Sequence, residues 1–121
     1  MGGRGGSSGL NKSGKTFDVK SLPALTGSEK QIEWASNIRK IALETVNANI
    51  KLAEERLRKY KGDPLFEEDL ESYKEVGNQL IQIFQKFTKA SDIIDKRNVL
   101  SSSKIVKTAD DIRMYKKRKK M

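Results

Sequence analysis

The chain has 121 residues, 25 Lys or Arg against 16 Asp or Glu, a formal charge of +9, and neither His nor Cys. That length suits one small domain with tails. The missing residue types exclude Ser-His-Asp and Cys-His nucleophilic machinery, thiolate redox chemistry and the usual zinc ligand set, so a non-enzymatic protein with no metal and no cofactor is expected. No apolar run is long enough to span a bilayer and no basic segment leads into an apolar h-region, so a soluble cytoplasmic protein with no membrane partner is expected.

Residues 1–21 read as a Gly/Ser/Lys-rich arm. Up to Lys15 its only large apolar residue after Met1 is Leu10, too little to offset the entropy of ordering it. Phe17, Val19 and Leu22 then alternate, which suits an extended strip lying on a core and ended by Pro23.

A helical domain is expected over 22–100. Ser28 with Gln31 three residues on makes a capping box, and Glu29 complements the helix dipole. Ile32, Ala35, Ile38, Ala42, Val46, Ile50, Ala53 and Leu57 recur at steps of three and four, with Trp34 and Ile41 widening the stripe. This predicts one helix over 28–61, stopped by Gly62. Asp63 as N-cap and Pro64 at the first position start a second, over 64–87, with Phe66, Leu70, Tyr73, Leu80, Phe84 and Phe87 on its apolar face. So short a connection implies an antiparallel hairpin. Gly77 inside the second helix reads as close packing against the first, with a kink as the alternative. A two-helix hairpin needs a cover, and Thr88 is read as the cap of a short third helix over 89–98 carrying Ala90, Ile93 and Ile94. The expected fold is all-α: a long antiparallel hairpin, a short third helix closing the core, a Gly-rich N-terminal arm and a basic C-terminal helix or tail.

Residues 101–121 hold eight Lys or Arg and two Asp, whereas 61–75 hold two cations and six acids. The excess charge therefore sits at the ends of the chain. Ser101 to Ser103 read as a linker, and Thr108 with Asp111 as a capping box opening a last helix from Ala109 to about Lys117. Arg113, Tyr115, Lys116, Lys117, Arg118, Lys119 and Lys120, with Lys104 and Lys107, are the candidate partner-binding residues, because clustered cations with an interleaved aromatic suit counterion release from nucleic acid. Arg4, Lys12, Lys15, Arg39 and Lys40 form a secondary set.

Three other features admit a sharper reading than they warrant. Gly9 to Thr16 satisfies the P-loop expression G-x4-G-K-[ST], but no apolar strand precedes it and no later strand ends in Asp, so no nucleotide binding is expected. The acids Glu67, Glu68, Asp69 and Glu71 read as helix-dipole complements rather than a metal or acid/base site, and Trp34 reads as a core anchor rather than a base-stacking platform.

The segment Leu22-Pro23-Ala24-Leu25-Thr26-Gly27-Ser28-Glu29-Lys30-Gln31-Ile32-Glu33-Trp34-Ala35, with Ile38-Arg39, resembles the pattern L-x-G-S-E-K-Q-I-x-W-A-x-x-I-R of small bacterial proteins from phages and mobile elements, a family of unknown function. Its companion A-x-W-W-I-D-x-R resembles Ala90 to Arg97, where both Trp positions are replaced. The opening Met1 to Gly9 is similar to the starts of small phage proteins of Gram-positive hosts. The resemblance implies a bacterial host context rather than a chemistry, with no catalytic activity attached to the pattern. Three readings follow: a basic binding protein engaging nucleic acid or a nucleoprotein through its ends; an anti-CRISPR-type inhibitor docking on a host RNA-guided defence nuclease with its guide RNA; or a virion structural or assembly part. The oligomeric state is left open.

Overall fold

A computed structural model describes residues 17–119. Among them are four α-helices, α1 (Glu29–Lys59), α2 (Pro64–Lys86), α3 (Ala90–Asp95) and α4 (Ser102–Lys119), a single 3-10 turn (Val19–Ser21), and no strand. The all-α class is the expected one.

The start and end of α1 follow from its sequence. Gln31 N donates to Ser28 Oγ at 3.2 Å while Ser28 N donates to Gln31 Oε1 at 3.2 Å, so two amides without an intrahelical partner are satisfied reciprocally. Just past the other end, Gly62 takes φ +71°, the left-handed conformation in which a side chain is disfavoured. Asp63 then caps α2 by accepting from Leu65 N at 2.9 Å, and Pro64 opens it. Near this turn Arg56 lies over the Phe66 ring, and Tyr60 packs on the same ring at 5.8 Å.

α1 packs on α2, α3 and α4, and α2 also packs on α4. Leu43, Val46 and Ile50 from α1, Phe84 from α2, Ile93 from α3 and Ile105 from α4 lie in one buried cluster. Burying a side chain of this size contributes roughly 1.5–3 kcal/mol. Leu100, Ile105 and Ala109 are buried, so α4 belongs to the same bundle as the other helices. That explains where α4 begins. Ser101 to Ser103 are not a linker, because burying Ile105 draws the helix back to Ser102, whose hydroxyl lies 2.8 Å from that of Thr45 on α1. Thr108 is not a cap. It sits inside α4 with its hydroxyl donating to Lys104 O at 2.8 Å.

Thr88 does not cap α3 either. Lys89 holds the cap position without a side-chain hydrogen bond. The backbone of Thr88 is used instead in a parallel bridge: Thr26 N donates to Thr88 O at 2.9 Å and Ala90 N donates to Thr26 O at 2.8 Å. Beside this bridge Gly27 has φ +141°, and a Cβ there would press on Ala90 and Gln31.

The strip before α1 is anchored rather than loose from Phe17 onward. Asn47 accepts from Phe17 N at 3.1 Å and donates to Phe17 O at 2.8 Å, standing in for a strand partner. The Phe17 ring occupies the space over Gly77 that a side chain would fill. Close packing does account for Gly77, but against Phe17 and not against α1.

Candidate functional site

α4 carries the candidate cations, and its packing on α2 determines what each one meets. Arg113 points inward, with its side chain 21% exposed. Its Nε lies 3.3 Å from Asp69 Oδ1, an ion pair without hydrogen-bond alignment, and one terminal nitrogen lies 3.4 Å from Asp110 Oδ1. Lys116 Nζ reaches Glu75 at 3.5 Å, and Lys107 Nζ reaches Asp111 at 3.3 Å. Three of the expected phosphate contacts are therefore compensated by carboxylates within the fold. Lys104 and Arg118 are exposed, and Tyr115 is 59% exposed. Lys117 and Lys119 lie on the last turns of α4. Lys120 lies outside the described residues, as do Arg4, Lys12, Lys15 and the whole P-loop lookalike.

Around Arg113, a polar cleft of about 300 Å³ opens between α1, α2 and α4, lined by Asn49, Arg56, Asp69, Tyr73 and Asp110 among others. Burial pushes the Asp69 carboxyl above its ordinary value of 3.8; Asp110 and Glu68 add to the rise, against the pull of Arg113 and Arg56. Burial raises the Tyr73 phenol as well, reinforced by Asp110 and Asp69. Asp69 thus does more than complement a helix dipole. Among the described residues no group of three or more acids is placed to hold a metal ion.

Arg39 is not a surface residue. It is 7% exposed and donates to Pro23 O at 2.9 Å, with its Nε unpartnered and its affinity for the proton lowered by desolvation. Its hydrocarbon stem is buried along with the guanidinium, so the side chain latches the segment before α1 onto the bundle. Lys40, one residue on, is exposed and lines the depression beside Trp34.

Trp34 is not a core anchor: it is 50% exposed. α1 turns its apolar stripe so that Ala35, Ala42, Val46 and Ile50 face inward, which leaves Trp34, Ile41 and Leu52 outside. The Arg97 guanidinium lies 5.6 Å from the Trp34 ring centroid. Its neighbour Lys96 lies 4.4 Å from the Phe87 centroid, where Lys86 also stands at 5.6 Å. Neither Arg97 nor Lys96 stands out by charge density, because single cations after a short helix leave no run in the sequence. Trp34 and Phe87 themselves carried the available signal.

No family model matches the chain, and no curated protein or solved structure matches it. Among the described residues no helix is long and apolar enough to cross a membrane.

Proposed function

We propose that the chain is a small non-enzymatic binding protein of phage or mobile-element origin that engages nucleic acid, or a nucleoprotein, through its basic ends. In this reading the antiparallel hairpin of α1 and α2 is a rigid platform, and the end of α4 is the arm that meets phosphates. The observation that supports it is the concentration of charge: of a net +9, residues 101–121 hold eight cations against two acids. The two Asp and the acids of α2 compensate Arg113, Lys107 and Lys116, so in this reading the exposed Lys104 and Arg118 meet phosphate together with the other cations of the run Lys116 to Lys120. Such contacts are sequence-tolerant, since nothing in the tail is a rigid bidentate reader of base edges.

Truncation after Met114 tests it. The cut removes Lys116 to Lys120 but leaves Ile105, Ala109 and Ile112, so the fold should persist. Affinity for an oligonucleotide, measured by anisotropy at several salt concentrations, should collapse. The log–log salt slope should flatten by about 0.9 for each duplex phosphate that the shortened chain no longer neutralises, or about 0.7 on single strands. A truncated protein with unchanged affinity and slope overturns the proposal. Capture of an RNA-guided nuclease by a chain that has no affinity for free oligonucleotide would instead support the inhibitor reading.

A further inference from the structure

We propose that Trp34 and Arg97, with Phe87 and Lys96 beside them, form a stacking site for single-stranded nucleic acid at the α3 end of the bundle. This deepens the nucleic-acid reading and rests on it.

An indole buries more apolar area than almost any side chain, yet this one remains half in water while Ala35 next to it is fully buried. Its partner is a guanidinium above the ring, and consecutive residues at the end of α3 place a second cation over a second ring. A cation on an aromatic face is held by the ring quadrupole and keeps its whole charge, in contrast to one held by a carboxylate. Arg97 also donates to Ile94 O at 3.0 Å, and among the described residues neither it nor Lys96 is in a salt bridge, so flat π faces lie next to cations that no carboxylate holds, the two elements that bind unpaired bases and their phosphates. The surrounding sequence has the same sign: residues 86–97 contain Lys86, Lys89, Lys96 and Arg97 against Asp92 and Asp95. Lys30, one turn before Trp34 on the same face of α1, and Lys40 are exposed alongside, with Glu33 the acid that lines the same depression. Bases held in a duplex have no free face to offer, so this site selects single strands.

Trp34 is the only tryptophan in the chain, so its fluorescence reports the site directly in the unmodified protein. Titration of the full chain with a thymidine 20-mer, a uridine 20-mer and a 20-base-pair duplex separates DNA, RNA and double-strand binding. Saturable quenching is expected with the single strands, and Trp34→Ala should weaken their binding roughly 5- to 150-fold, the range for one stacked base. Trp34→Phe should recover part of that affinity. Arg97→Ala should reduce the salt slope by about 0.7, one phosphate on a single strand. If the oligonucleotides bind with Trp34 fluorescence and Trp34→Ala affinity unchanged, the stacking site is wrong while the nucleic-acid reading stands. If the full chain binds none of the three, the nucleic-acid reading itself fails. A concentration-dependent dimer that buries Trp34 and excludes oligonucleotide would overturn the site in favour of a second copy of this chain.

Discussion

The α2–α4 flank and the α3 end carry cations of the same type and use them in opposite ways. On the flank, Arg113, Lys116 and Lys107 each lie within 3.5 Å of a carboxylate, so positive charge that is conspicuous in the sequence is compensated in the fold. At the α3 end, Arg97 and Lys96 rest on the rings of Trp34 and Phe87, which carry no net charge. On the flank Arg113 and Lys116 tie α4 to α2 and Lys107 pairs within α4, whereas the α3 end seats its two cations on aromatic rings. A count of Lys and Arg along a chain therefore overstates a basic helix that docks on an acidic one and understates two cations seated on aromatics.

The largest effect should come from the core beneath both regions. Phe84 is fully buried, and Phe84→Ala should cost roughly 3–5 kcal/mol by urea denaturation, a large part of the stability of a domain this small. Ile38→Ala should cost less, because Ile38 is only partly buried against that cluster. Equal losses at the two positions would mean that the α1 phasing is wrong.

The comparison itself is broken or sharpened by Arg113→Ala and Arg97→Ala. The first strands the half-buried Asp69 carboxylate and should lower stability by about 1–2 kcal/mol. The second removes one exposed cation–π contact and should lower it by under about 1 kcal/mol, with its main effect on oligonucleotide affinity. If Arg113→Ala left the melting temperature untouched and abolished binding, the roles of the two regions would be reversed.

The smallest expected effect is a pH dependence on the flank. Asp69 binds its proton more tightly in the folded chain than at its ordinary value of 3.8, with burial the leading cause. Its contribution to stability is therefore fully present below pH 3.8 and is lost as pH rises through the folded-state value. Asp69→Asn cannot ionise, so its melting temperature should gain on that of the unsubstituted protein over this rise. A difference independent of pH would show that Arg113 fully compensates the half-buried carboxylate.

The helix ends were legible because their chemistry is local. Ser28 with Gln31, Gly62, and Asp63 with Pro64 act on backbone groups within a few residues of themselves, and any chain with that spelling meets the same unsatisfied amides. The apolar periodicity of α1 and α2 was legible for the same reason, and with it the all-α class. Which edge of a stripe faces inward was not. Ile41 and Trp34 stand at helical spacing with buried neighbours, yet only the positions of α3 and α4 around α1 decide that they remain outside.

The sequence by itself determined where the first two helices begin and end, and how much net charge the chain carries. Tertiary structure alone decided where that charge is compensated. Arg39 became a buried latch on Pro23, Arg113 the partner of Asp69, and Ser101 to Ser103 the approach to a packed helix rather than a linker. Each of these depends on residues far apart in the chain, Asp69 and Arg113 being brought together only when α4 lies down on α2. Electrostatic compensation and burial are set by distance in space, and pattern along the chain constrains distance only within a turn or two of helix.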